Sequence, residues 1–251
     1  MTPGRLVARV PFCTRTDTYS WPPAVTRPME SVLTDAVRDV LAAASPEPSP
    51  VQAEMAAHAE EIDFPVVGPE VGALLGLLTR AVGAERVFEF GSGFGYSAYW
   101  FAEAVPEDGE VVLTEIDADE LELARGFLAD AGLGDRAAFE HGDAFEVFDR
   151  YDGPFDVVLV DCEKRRYPDA IDPARGKLAP GGLVIADNAL AAQYDAADVA
   201  AGLRGEYAGQ HPDAVSGVVE YLERMRDDPA FDTAVVPLGE GIAVSRYRGS
   251  D

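Results

Sequence analysis

Hydrophobic and polar positions change period along this chain, and the changes mark out its elements. Residues 1–28 have little periodicity and several prolines, which predicts an irregular extension. Apolar residues recur at helical spacing over Ser31–Ala44 and Val51–Ala59, on either side of the Pro/Ser break SPEPSP at 45–50. From residue 69 the pattern is regular. Helices are expected over Pro69–Val82, Gly95–Ala104, Asp119–Ala131, Ala144–Arg150, Pro168–Leu178, Asp195–Leu203 and Ala214–Arg226. Arg86–Phe90, Glu110–Glu115, Ala137–Glu140, Phe155–Val160 and Gly182–Ala186 read as strands; the apolar run FDVVLV is typical of a central parallel strand buried on both faces. Phe231–Val236 and Ile242–Arg246 flank a Gly-containing turn, LGEG, and read as a hairpin.

Strands alternating with helices imply right-handed βαβ units. The expected fold is α/β: a doubly wound, Rossmann-like sheet, mostly parallel, with one antiparallel strand contributed by the closing hairpin. Residues 1–63 divide off as an extension and helical cap, too short to bury a core of their own, and residues 64–251 as the main domain. The cap is expected either over the site or at a homodimer contact.

Composition changes the picture in two ways. The chain has 251 residues, 47% of them apolar, yet its net charge is −25. Acids are spread along its length, which favours a surface adapted to high salt, where screening quenches self-repulsion. Such acidity also disfavours nucleic acid as a partner. There is no apolar stretch of membrane-spanning length and no sustained apolar leader, and the two cysteines, Cys13 and Cys162, make no disulfide framework. A cytoplasmic protein without a membrane partner is expected.

Candidate chemistry lies at the strand ends. VFEFGSGFGYS, 87–97, is strand, glycine loop, helix, with the spacing G-x-G-x-G at Gly91, Gly93 and Gly95. A dinucleotide fingerprint wants G-x-G-x-x-G around a pyrophosphate. Glu89, two residues before Gly91, would repel a phosphate and suits a cationic or hydroxylated ligand. Both features disfavour a nicotinamide dehydrogenase. Glu115 ends the next strand, where an acid can accept two hydrogen bonds from a ribose. Asp143 follows the third strand and Asp161 the fourth, so all four acids are expected to point at one crevice. S-adenosylmethionine fits them: a sulfonium, an amino group, a ribose and an adenine, with no phosphate.

At this point the sequence resembles the class I S-adenosylmethionine-dependent methyltransferases, and most closely the catechol / caffeoyl-CoA O-methyltransferase-like family. The segments carrying it are FPVVGPEVGALL, VFEFGSGFGYSAYW, VVLTEID, GDAFE, FDVVLVDCEKRRY, LAPGGLVIADNAL and DPAFDTAVVPLGEGIAV, from about Phe64 to Tyr247. The resemblance implies cofactor contacts at Val67, Glu89, Gly91, Gly93, Ser97, Glu115, Ile116, Gly142, Asp143, Ala144 and Asp161. Glu89 and the glycine loop would take the methionine end, Glu115 the ribose and Asp143 the adenine side. Asp161 and the pair Asp187-Asn188, at neighbouring strand tips, offer two carboxylates and an amide carbonyl, a set that suits Mg²⁺ or Mn²⁺. The resemblance implies the same three as metal ligands.

It also implies Lys164 as general base. The chain has two lysines, Lys164 and Lys177, against eighteen arginines. Lysine can give up its proton in a protein and arginine cannot, a physical reason for a lysine at this one place. The expected activity is metal-dependent O-methylation of a small hydroxylated, catechol-like acceptor. Two alternatives stand beside it: an RNA hydroxyuridine O-methyltransferase, for which Arg165-Arg166 is the one hint, and a non-catalytic S-adenosylmethionine-binding protein. The family usually has D-A-D-K where this chain has D-C-E-K, with Cys162 expected as a buried small residue, and a tryptophan soon after D-N that is missing here. His58, His141 and His211 have no ligand spacing, so zinc or Ser-His-Asp chemistry has no support. Trp21 and Trp100 are expected to be packing residues.

Overall fold

The computed structural model describes residues 34–45, 47–192, 194–206 and 213–249. The expected extension over 1–28, the start of the first helix at Ser31, Cys13, Trp21 and His211 lie outside the described residues.

Seven strands form one sheet in the order β3-β2-β1-β4-β5-β7-β6. They are β1 (Arg86–Phe90), β2 (Glu110–Glu115), β3 (Ala137–His141), β4 (Phe155–Val160), β5 (Leu178–Ala186), β6 (Phe231–Val236) and β7 (Ile242–Tyr247). β1 to β5 pair in parallel, and β7 runs antiparallel to both β5 and β6. The hairpin thus contributes one reversed strand, as its turn-separated pattern predicts. Around the sheet lie α1 (Asp35–Ala44), α2 (Pro50–Ile62), α3 (Gly68–Val82), α4 (Tyr96–Ala104), α5 (Ala118–Asp130), α6 (Ala144–Arg150), α7 (Ile171–Lys177), α8 (Ala196–Leu203) and α9 (Asp213–Asp227).

Alternate strand residues feed two cores. Phe88, Phe90, Val158, Val160 and Val184 face one core, with Phe148, Tyr167 and Tyr221. Val87, Leu113, Val157, Leu159 and Ile185 face the other, with Phe94, Trp100 and Leu75. Trp100 is a packing residue there, lying against Gly72, where a Cβ would fall 2.1 Å from its indole nitrogen. α2 joins this core through Met55 and Ala59, whereas α1 buries none of its residues.

One expected helix is corrected. The helix predicted over Pro168–Leu178 is a 3-10 turn over Lys164–Ala170, then α7, and Leu178 already belongs to β5. Pro168 sits inside the 3-10 segment, where its missing N–H opposes regular α-helical bonding. β5 begins four residues earlier than the pattern predicts. Leu178 pairs with Phe155, and the register slips through Ala179-Pro180-Gly181-Gly182 before Leu183 meets Val157. A Pro-Gly-Gly run reads as a turn in sequence; here it is an irregularity within a strand.

Candidate active site

Strand order reverses between β1 and β4, and crevices of open α/β sheets form outside the carboxyl ends at such a point. The glycine loop leaves β1 here. Gly91 has φ 88°, and a Cβ on it would lie 2.8 Å from the Asp161 carbonyl oxygen, so the loop and the tip of β4 touch backbone to backbone. The loop is pinned to β2. Thr114 Oγ1 donates to the Glu89 carbonyl (2.6 Å) and accepts from Gly91 N (3.2 Å). Ser92 N donates to the Thr114 carbonyl (3.0 Å), while Ser92 Oγ accepts from Thr114 N (3.1 Å).

Glu89 does not stand in the open crevice with the other acids. It is the penultimate residue of β1, flanked by Leu113 and Leu159, and is 0% exposed. Neither carboxylate oxygen has a hydrogen-bond partner among the described residues. Burial pushes its carboxyl up to about 8, an effect that the neighbouring Ser97 and Ser92 only partly offset. Ser97, in the first turn of α4, is itself buried.

Glu115 is held by three backbone amides. Oε2 accepts from Gly93 N (2.9 Å), and Oε1 accepts from Ile116 N (2.7 Å) and Asp117 N (3.0 Å). The end of β2 and the glycine loop are thereby joined through one carboxylate. Beside it Ile116 is 74% exposed, an apolar side chain without cover at the crevice edge. Gly142 follows β3 with φ 143°, and Gly142 N donates to the Glu115 carbonyl (2.9 Å). Asp143 then caps α6, with Oδ1 accepting from Phe145 N (2.9 Å), and Ala144 opens that helix. Val67, half-buried, lies at the start of α3.

The second cluster forms where β4 and β5 end side by side. Val160 pairs with Ala186, so the next residues, Asp161 and Asp187, emerge together. Lys164 Nζ donates to Asp161 Oδ1 at 2.8 Å and lies 5.0 Å from the centre of the Tyr167 ring. Asp187 is 5% exposed; burial, then the Asp161 charge, pushes its carboxyl up to about 7, and Lys164 pulls it partly back. Asn188 has φ 52° and donates its backbone N–H to Asp187 Oδ1 (2.7 Å). Tyr167 OH donates to the Asp187 carbonyl (3.0 Å), and Tyr194 OH donates to the Asn188 carbonyl. The structure therefore brings Asp161, Lys164, Asp187 and Asn188 into one cluster, as their strand-end positions predict.

One acid of this cluster escaped the sequence reading. Glu240, in the β6–β7 turn, accepts from the Asn188 side-chain amide. Burial raises its carboxyl, and the charges of Lys164 and Asp161 act on it. In LGEG it reads as a turn residue; the antiparallel pairing of β7 with β5 carries it to the site. The two arginines of DCEKRR are not a free basic patch. Arg165 pairs with Glu163 (2.6 Å), and Arg166 with Asp143. Cys162 is half-buried, its thiol pushed up to about 12 by burial, which opposes thiolate chemistry. His141 Nε2 lies 3.1 Å from the Ile116 carbonyl, and His58 lies edge-on to Phe94.

The family model described as O-methyltransferase matches residues 51–248. The chain belongs to the O-methyltransferase family. A Mycobacterium avium protein bearing an O-methyltransferase name is 32% identical over 187 residues, covering 74% of this chain and 80% of its own length. Among solved structures, a methyltransferase of Geobacter sulfurreducens is 28% identical with a TM-score of 0.72, covering 87% of this chain and 99% of that one. The O-methyltransferase TomG of Streptomyces achromogenes, involved in tomaymycin synthesis and solved with S-adenosylmethionine, is 25% identical with a TM-score of 0.76, covering 88% and 100%. Membership of this family agrees with the resemblance carried by the sequence motifs. No helix among the described residues is long and apolar enough to cross a membrane.

Proposed function

We propose that this O-methyltransferase family member transfers the methyl group of S-adenosylmethionine to a hydroxyl of a small, catechol-like acceptor with the help of a divalent cation. The observation that carries the reading is the cluster at the ends of β4 and β5: a lysine ammonium 2.8 Å from Asp161, beside the nearly buried Asp187. The cofactor half is supported by Glu89, a fully buried carboxylate without a hydrogen bond. A cofactor ammonium would supply the charge and donors it lacks. Glu115, immobilised by three amides, keeps one acceptor direction on Oε2 for a ribose hydroxyl, and exposed Ile116 offers apolar surface to the adenine face.

The donor set fits a hard cation. Among the described residues no three His, Cys, Asp or Glu form a metal cage; the set is two carboxylates and one amide, which suits Mg²⁺ or Mn²⁺ that keeps several waters. Asn188 donates its side-chain Nδ2 to Glu240, leaving its side-chain Oδ1 as the acceptor for an ion. Asp161, Asp187 and Asn188 would hold the ion. When bound, the cation lowers the pKa of a coordinated hydroxyl and S-adenosylmethionine offers an electrophilic methyl. Lys164, as the neutral amine, would take the acceptor's proton at Nζ, and Asp161 would hold the resulting ammonium in place. Tyr167 and Tyr194 hold the backbone carbonyls of the Asp187-Asn188 turn and Glu240 holds the Asn188 side chain, which supports this donor set.

The test is formation of S-adenosylhomocysteine with a panel of catechols and matched monophenols, with and without EDTA. Turnover of catechols that EDTA abolishes and Mg²⁺ or Mn²⁺ restores is expected. EDTA-resistant turnover would overturn the metal role, and equal turnover of the monophenols the catechol class.

A further inference from the structure

Arg166 has no part in the reading above, yet it closes on one of its residues. It belongs to the Lys164–Ala170 segment after β4, while Asp143 caps α6 after β3. Its guanidinium carbon lies 4.0 Å from the centre of the Phe145 ring. Nη1 donates to Asp143 Oδ2 in a short contact, and Nη2 donates to Oδ1 at 3.4 Å. Oδ1 also accepts from Phe145 N (2.9 Å) and Glu146 N (3.4 Å). Oδ1 is therefore saturated. Oδ2 has one donor, Arg166, and keeps one acceptor direction.

We propose that Arg166 is a positioning residue for the adenine end of the cofactor, holding the Asp143 carboxylate so that Oδ2 presents its remaining acceptor site to the exocyclic amine. This rests on the S-adenosylmethionine reading. The last torsion of an aspartate is broad. Two backbone amides fix one oxygen, and Arg166 supplies the second point that stops rotation. A planar guanidinium stacked on Phe145 does this; a lysine offers a single charge without the fork. The Arg166 hydrogen bond also lowers the Asp143 carboxyl, keeping the group an acceptor only. Such a group favours a base with an amine at its six position over one with a carbonyl. The clasp also ties the segment carrying Lys164 to the start of α6.

The experiment uses the full chain and two probes, S-adenosylhomocysteine and S-inosylhomocysteine, whose bases differ at that position. Affinities are measured by calorimetry, with thermal melts as a fold check. Arg166→Met should weaken S-adenosylhomocysteine roughly tenfold, as loss of a charged hydrogen-bond partner does, and leave the inosine analogue nearly unchanged. The ratio between the probes then collapses, and Arg166→Lys restores part of it. A ratio unchanged in Arg166→Met overturns the proposal, as does tighter binding of S-adenosylhomocysteine. Should that variant fail to fold, the ratio in Arg166→Lys decides: one equal to wild type overturns the proposal. Asp143→Asn, which keeps the helix cap, separates the two readings. A wild-type ratio there removes the adenine role itself; a collapsed ratio there with an intact one in Arg166→Met removes only the role of Arg166.

Discussion

Lys164 is one of two lysines in a chain that otherwise uses arginine, and its ammonium is hydrogen-bonded to Asp161 beside a nearly buried second acid. If it takes the acceptor's proton, Lys164→Ala should cut turnover by about 10² or more, the usual worth of a positioned base. S-adenosylhomocysteine affinity should hold, and Lys164→Arg should not rescue turnover, because arginine stays protonated. Steady-state kinetics beside calorimetry separates these outcomes; unchanged kcat would remove the base role. Glu89 makes a different prediction. Its carboxyl, up at about 8, is mostly protonated at pH 7 in the unliganded protein. A folded-state value above the unfolded one gives stability that is full below about pH 4.5 and is lost as pH rises through about 8. A cofactor ammonium against Glu89 favours the ionised form, so S-adenosylhomocysteine binding at pH 7 should release up to about one proton. Calorimetry in buffers of different ionisation enthalpy reads that release, and Glu89→Gln should reduce it; the same release in wild type and variant would contradict the pairing.

Elements decide how closely the working residues approach. α9 packs on the segment that carries Lys164, and Gly217 is the contact: a Cβ there would lie 2.2 Å from the Lys164 carbonyl and 2.6 Å from Arg165 Cα. Gly217→Ala should therefore destabilise by about 1–3 kcal/mol through overpacking and lower kcat more than cofactor affinity, since the base loop must shift. Gly126, within α5, has nothing within 4 Å of such a Cβ. Gly126→Ala should raise stability by about 0.5–1 kcal/mol through helix propensity and leave kcat alone. Chemical denaturation and kinetics on the pair test this; equal behaviour of the two variants would refute the packing argument. The positions of Glu115 and Asp161 at strand ends were legible in the sequence because a run of buried apolar residues ends visibly. The 3-10 segment at Lys164–Ala170 was not, because DCEKRRYPDA carries a helix-compatible composition and only Pro168 hints otherwise.

At the scale of the molecule, charge dominates. A net charge of −25 on one folded chain is self-repelling, and salt screens it over about 8–10 Å at 0.1–0.15 M and about 3 Å at 1 M. Many of its ion pairs are exposed, such as Arg226 with Asp227 and Arg248 with Asp232, and pairs of that kind contribute little. Stability should therefore rise from low to molar KCl, read as an increase in Tm. A melting temperature indifferent to KCl would remove salt adaptation as the reason for the acidic surface. The family match over residues 51–248 includes α2, whose Met55 and Ala59 join the main core.

The sequence by itself determined the element order, the two-faced parallel sheet, the reversed hairpin strand and the family. Those follow from local periodicity and from motifs contiguous along the chain. It also determined which acids stand at the carboxyl ends of β2, β4 and β5, because the end of each of those apolar runs is visible in the sequence. Only the tertiary structure decided that Glu89 lies buried and unpaired beneath the glycine loop, that Glu240 reaches Asn188, that Arg166 clasps Asp143, and that Gly217 meets the backbone of Lys164. These join residues tens of positions apart. Which of them meet is set by strand order, register and helix packing, and those quantities leave no trace in the spacing of any one segment.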